Sequence, residues 1–98
     1  MGNLYEEIMS ANIDEEKLKI ILGEIEEEFR RASKLHAKMN TPHEGYAILK
    51  EEVDELWDIV KRKELFRGRN DQLHAECIQV GAMAMRFLHD TVDYDSKK

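Results

Sequence analysis

The sequence predicts an all-α protein, a helical bundle of three main helices whose core is completed by dimerisation. Good helix formers dominate the chain, and one proline and five glycines leave long stretches uninterrupted. Apolar residues recur at helical spacing in three long segments. A chain of 98 residues has the length of one small domain. Because such a domain buries only about two thirds of its unfolded surface, we expect a homodimer or a homotetramer.

The first long helix is predicted to begin near Asn12 or Asp14 and to end near Met39, after an N-terminal arm at residues 1–11. Either Asn12 or Asp14 can cap the helix, and Asn40-Thr41-Pro42 is a stop signal. Its apolar stripe consists of Leu18, Ile21, Leu22, Ile25, Phe29 and Ala32.

The second helix is predicted to begin at Pro42 and to run to about Lys63. Thr41 and Glu44 have the spacing of a capping box, and proline suits the first helical position. The apolar face contains Tyr46, Leu49, Val53, Leu56, Trp57 and Val60. We expect Tyr46 and Trp57 to be core or interface residues.

The third helix is predicted to run from about Gln72 to Asp90, with Asn70 or Asp71 as its cap. It is apolar nearly all round, and small residues (Ala75, Gly81, Ala82 and Ala84) would let neighbouring helices approach closely. We therefore expect it to be central. Residues 91–98 are predicted to form a flexible tail, so that residues 1–98 make a single domain.

The net charge of −6 argues against a nucleic-acid partner, which normally requires a basic surface. The single cysteine, Cys77, cannot form an intrachain disulfide, and we expect it to be buried and inert. No apolar run has the length of a membrane span and no signal peptide is recognisable. These observations predict a cytoplasmic protein without a membrane partner.

Three glutamates fall on helix faces that are otherwise apolar. At about 100° per residue, Glu52 lies between Leu56 and Ile59, and Glu55 lies on the edge of the same arc. Glu76 fills a gap in the stripe of the third helix that is formed by Leu73, Val80, Met83 and Phe87. A carboxylate on a packed helix face must be neutralised, paired or bound to a metal.

These glutamates are candidate ligands for a divalent cation, because three like charges on adjacent apolar faces cannot shield one another. Mg²⁺ favours carboxylates together with water and substrate phosphates. The alternative is that each glutamate pairs with Lys or Arg, or reaches solvent at a helix edge. Glu51 is the best candidate for a residue that interacts with the metal ligands without binding the metal itself.

The run Glu51-Glu52-Val53-Asp54-Glu55 resembles the EExxE element of the MazG-like, all-α nucleoside triphosphate pyrophosphatases. The longer stretches 43–57 and 76–84 are similar to a branch of small MazG-like proteins, and the resemblance covers roughly residues 29 to 90. In that family an ExxD element on the next helix completes a four-acid Mg²⁺ site. Glu76 matches the third acid, whereas Gln79 stands at the fourth position, where it offers an amide oxygen without charge.

The resemblance implies a Mg²⁺-dependent hydrolase that cleaves a nucleoside triphosphate into the monophosphate and pyrophosphate, an activity of house-cleaning type. Glu52, Glu55 and Glu76 would be the catalytic residues and, with Gln79, the metal ligands for Mg²⁺ or Mn²⁺. Arg86 and Lys50 are candidates for phosphate binding, although a solvated or ion-paired surface charge is the other interpretation of each. The alternative function is a catalytically degenerate MazG-like module that binds nucleotides or proteins, which the glutamine at position 79 favours.

Overall fold

The computed structural model describes residues 12–62 and 68–94, which form three α-helices. They are α1 (Glu15–Leu35), α2 (Pro42–Val60) and α3 (Arg69–Thr91). No strand occurs in these residues, so the predicted all-α class is confirmed. The predicted N-terminal arm at 1–11 and residues 95–98 of the predicted tail lie outside the described residues.

Helix α1 begins where the sequence predicted and ends four residues earlier. Asp14 caps it by accepting a hydrogen bond from the backbone N–H of Lys17 at 3.0 Å. Beyond Leu35 the chain leaves the helix and inserts Met39, which is 0% exposed, into the core. The backbone N–H of Met39 donates to a carboxylate oxygen of Asp90 at 2.9 Å. Tertiary contacts of Met39 therefore outweigh its preference for helix.

Helix α2 starts with the predicted cap. The Thr41 hydroxyl accepts a hydrogen bond from the N–H of Glu44 at 3.1 Å, and Pro42 occupies the first helical position. The Glu44 carboxylate reaches back to the N–H of Asn40 rather than to that of Thr41. The last helical residue is Val60 and residues 61 and 62 are not helical, so the helix ends about three residues before the predicted end near Lys63.

The predicted cap of α3 is wrong. The helix begins at Arg69 and is preceded by Gly68, which has a φ of 92° and makes no side-chain cap. The N–H of Gln72 donates to the carbonyl of Gly68 at 2.9 Å. Glycine adopts this left-handed conformation without steric cost, so the turn closes before Asn70 and Asp71, and both become first-turn residues.

Helix α3 is central, as its sequence predicted. Both α1 and α2 pack against α3, and within the described residues they do not pack against each other. Small residues allow the close approach, because a Cβ atom at Gly81 would lie 3.0 Å from Ile25 Cδ1. The core consists of Ala32, Met39, Ala82 and Met83, with Phe29, Ile48, Leu49 and Phe87 packed around it.

Much of the predicted apolar surface is uncovered in the single chain. Tyr46 is 59% exposed and Trp57 is 57% exposed, so neither is a core residue of one chain. The N-terminal half of the α1 stripe is also open, and Leu22 is 58% exposed. Within the described residues, no helix is long and apolar enough to cross a bilayer.

Two helical glycines give a matched test of this packing. A Cβ atom at Gly45 would lie 2.9 Å from the ring of Phe87, whereas a Cβ atom at Gly23 would meet nothing within 4 Å. We expect Gly45→Ala to lower the free energy of unfolding by roughly 1–2 kcal/mol, because overpacking exceeds the gain in helix propensity. Gly23→Ala should raise it by about 0.5–1 kcal/mol. Urea unfolding measures both, and equal stabilisation by the two variants would contradict the close packing of α2 on α3.

Candidate metal centre

The structure brings Glu52, Glu55 and Glu76 together. One carboxylate oxygen from each lies within 4.8 Å of the corresponding atoms of the other two. Glu52 and Glu55 are almost one turn apart on α2, and Glu76 lies on the face of α3 that packs against α2. Glu52 and Glu76 are half-buried, and Glu55 is exposed. The three acids therefore form an acid cluster with one open side.

The charges in the acid cluster oppose one another. Contact with Glu76, burial and repulsion raise the pKa of Glu52 to about 7. The pKa of Glu55 is also raised, chiefly by the charge of Glu52. One carboxylate oxygen of Glu76 is buried without a hydrogen-bond partner in the described structure. The proton that Glu52 retains at its raised pKa relieves part of the repulsion, and a cation would relieve more.

The donor set fits a hard divalent cation. It consists of carboxylate oxygens from two helices, and the exposed side at Glu55 leaves room for water or a ligand oxygen. Mg²⁺ retains several waters and takes one or two protein carboxylates with substrate phosphates. Among the described residues, no other three His, Cys, Asp or Glu side chains bring their ligand atoms within 4.8 Å of one another.

The amide nitrogen of Gln79 forms a hydrogen bond with Glu28 of α1 and not with the acid cluster. Gln79 Nε2 donates to a Glu28 oxygen at 2.7 Å, and Arg31 binds the same carboxylate through Nε at 2.8 Å and Nη2 at 2.6 Å. The hydrogen bond from Arg31 is the largest influence on Glu28 and lowers its pKa. Gln79 is thus linked to an ionised carboxylate on α1.

Glu28 is the residue that sequence reasoning missed. It is half-buried, and it lines a cavity of about 420 Å³ between α1 and α3 together with Arg31 and Gln79. Its position follows Ile25 by three residues and precedes Ala32 by four, which places an acid in the apolar stripe of α1. The signal that drew attention to Glu76 was therefore also present at Glu28.

Glu51 and Arg86 line a common cavity of about 250 Å³ that includes Glu52. Glu51 is exposed, and its charge contributes to the raised pKa of Glu52. Arg86 is only 2% exposed, and its Nη2 donates to the carbonyl of Ala37 at 2.8 Å. Arg86 is therefore a buried cation near the acid cluster rather than a solvated surface charge.

Lys50 and Cys77 lie at the protein surface. The Lys50 ammonium donates to Asp54 at 2.8 Å, and this contact raises the pKa of Lys50. The structure thus gives Lys50 an ion-pair partner on its own helix, which was the other interpretation of this residue. Cys77 is exposed, so the prediction that it is buried is wrong.

Comparison with known proteins gives no relatives. No protein-family model matches the chain, and no curated protein or solved structure matches it.

The raised pKa of Glu52 predicts how stability depends on pH in the metal-free protein. Between pH 4.5, the ordinary value, and about 7, the folded state keeps a proton that the unfolded state has lost. The free energy of unfolding should therefore fall as pH rises through this window. In Glu52→Gln the fall in the free energy of unfolding should be smaller by on the order of 1 kcal/mol. The difference is small because solvent screens the repulsion at this partly exposed carboxylate.

Urea unfolding at pH 5 and pH 8 in a chelator measures this effect. Asp58→Asn is the matched control, because Asp58 lies on the same helix and pairs with Lys61 outside the acid cluster. If the free energy of unfolding falls equally in the wild type and in Glu52→Gln, repulsion within the acid cluster is not the cause of the fall.

Proposed function

We propose that this chain is a cytoplasmic, Mg²⁺-dependent nucleoside triphosphate pyrophosphohydrolase of the MazG-like type, acting on small-molecule nucleotides. The observation that carries the proposal is the convergence of Glu52, Glu55 and Glu76 from two packed helices, with a buried Glu76 oxygen that lacks a partner. This convergence is what the EExxE-like run and the separate core glutamate predicted. It requires that α2 and α3 pack with these faces together.

The chain's own residues have distinct roles in this proposal. Glu52, Glu55 and Glu76 would hold the cation, and Glu52 would give up its proton to serve as a ligand. Glu55, on the exposed side, would also orient the ligand that enters from solvent. Gln79 and Glu51 flank the acid cluster. A bound Mg²⁺ would supply Lewis acidity toward a phosphate oxygen and lower the pKa of a bound water.

The proposal includes a second copy of the chain as partner. In the described residues only five hydrophobic side chains are buried, while the exposed ones include Leu22, Tyr46 and Trp57. Because α1 and α2 each contact α3 and not one another, a second copy can cover the apolar residues that both helices leave open. Light scattering should give at least twice the chain mass of 11.5 kDa, and a monomer at micromolar concentration would contradict this partner.

A degenerate, non-hydrolysing module is the second candidate. The hydrogen bond from Gln79 to Glu28 favours it, because the fourth family position then holds an amide whose nitrogen is engaged elsewhere. Such a module would bind a nucleotide or a protein without cleaving a phosphoanhydride. Metal binding without pyrophosphate release from any nucleoside triphosphate would support this candidate.

Titration calorimetry of Mg²⁺ and Mn²⁺ into metal-free protein tests the metal site. We expect binding that tightens as pH rises from 6 to 8 and that releases protons, because Glu52 must deprotonate. Glu52→Gln and Glu76→Gln should each weaken binding by at least about tenfold, the loss of one charged ligand. Asp58→Asn should leave binding unchanged. A screen for pyrophosphate release then separates the hydrolase from the degenerate module. If the wild type binds neither metal even at millimolar concentration, the hydrolase is refuted and a structural or interaction module is left.

A further inference from the structure

Arg86 is a buried cation whose hydrogen bonds do not go to a carboxylate. Its side chain donates to the Ala37 carbonyl at 2.8 Å and to the Met83 sulfur at 3.7 Å. Its Nε is buried without a partner in the described structure. A guanidinium removed from water in this way is costly unless an acceptor completes its hydrogen bonds. The position of Arg86 therefore requires a further explanation.

Arg86 and His36 line two cavities. The first is the 250 Å³ cavity that includes Glu52. The second has a volume of about 290 Å³ and is also lined by Ser33, Lys38, His89 and Asp90. The shared residues place the two cavities side by side near the C-terminal end of α1.

The second cavity has a positive balance in a chain whose net charge is −6. Lys38 and Arg86 are cations, and His36 and His89 contribute imidazole nitrogens. Asp90 is its single acid, and the Asp90 oxygens already accept from the Met39 N–H at 2.9 Å and contact His89 Nδ1 at 2.8 Å. Within the described residues, Lys38 has no ion-pair partner. Two cations and two imidazoles thus face a volume that can hold one small anion.

We propose that this second cavity binds a phosphate group, with Lys38 and Arg86 as its charged donors and Ser33, His36 and His89 as further hydrogen-bond donors. The phosphate is either free inorganic phosphate or the terminal phosphate of a nucleotide. Arg and Lys are the side chains that bind phosphate oxygens most strongly. A phosphate oxygen in this cavity would be an acceptor for the unpartnered Nε of Arg86.

The adjacency of the two cavities extends the proposal to the acid cluster. A linear polyphosphate anchored at Lys38 and Arg86 would pass His36 and reach the cavity that Glu52 lines. This extension rests on the proposed function, because it needs a cation at Glu52, Glu55 and Glu76. Binding of free phosphate does not depend on the cation.

Four histidines make the site directly observable by NMR of their ring signals. Inorganic phosphate and, separately, pyrophosphate are added to metal-free protein in a chelator at fixed pH and ionic strength. The signals of His36 and His89 should move and saturate. The signals of His43, at the start of α2, and of His74, which pairs with Glu24 at 2.9 Å, should not. Equal movement of all four, or movement of His43 and His74 alone, would overturn the proposal.

Variants locate the charged donors. Lys38→Ala, at an exposed position, should weaken phosphate binding by about tenfold, as expected for one charge-assisted contact. Lys34→Ala is the matched control, because Lys34 is an exposed lysine in the last turn of α1 that does not line the cavity. Equal weakening by the two variants would show general charge screening and would refute the site. Arg86→Gln, checked for folding by circular dichroism, should lose binding more completely than Lys38→Ala.

A third experiment distinguishes free inorganic phosphate from the terminal phosphate of a nucleotide. The probe is a nucleoside triphosphate with a methylene group in place of the α,β-bridging oxygen, added with and without Mg²⁺. If the cavity holds the terminal phosphate of a nucleotide, Mg²⁺ should tighten binding by at least about tenfold in the wild type, as a charged ligand contact does, and not in Glu52→Gln. If inorganic phosphate binds and Mg²⁺ has no effect, the phosphate site stands and the proposed function at the acid cluster fails.

Discussion

The structure depends on how the connection between α1 and α2 is held against α3. Two contacts hold it there: the Met39 N–H donates to Asp90, and the Arg86 guanidinium donates to the Ala37 carbonyl. Met39 fills the core between these contacts and is fully buried. Because the connection is fixed on α3, α1 and α2 lie along different sides of the central helix. That placement turns Glu52 and Glu55 of α2 toward Glu76 of α3.

The acid cluster has an energetic cost that the small core has to offset. Five buried hydrophobic side chains in the described residues are few for a domain of this size. Placing Glu52 and Glu76 in contact removes polar groups from water and brings like charges together, which is why the pKa of Glu52 rises. A cation at the acid cluster, as proposed above, would relieve this repulsion and stabilise the fold.

The two sides of α3 carry different polar networks. Toward α2, the carboxylates of Glu52, Glu55 and Glu76 converge. Toward α1, Gln79 joins Glu28, and Arg31 balances the charge of Glu28 through two hydrogen bonds. The α1 side is therefore neutralised within the chain, whereas the α2 side is not. This difference locates the place where an added cation has the largest effect, and it distinguishes Glu28 from the acids of the cluster although all four interrupt apolar stripes.

The sequence by itself determined the helical class, the cap at Thr41, the central position of α3 and the three glutamates on apolar faces. It offered Asn12 and Asp14 as caps of α1, and the structure selects Asp14. These features depend on local hydrogen bonding and on the helical repeat, which a single segment carries. Tertiary structure alone decided that α1 ends at Leu35, that Gly68 precedes α3, that Gln79 bonds Glu28 and that Arg86 is buried. Each of these depends on a partner distant in sequence or on a backbone conformation set by the packing of neighbouring segments. Helical periodicity indicates which residues share a face, and it does not indicate which other face they meet.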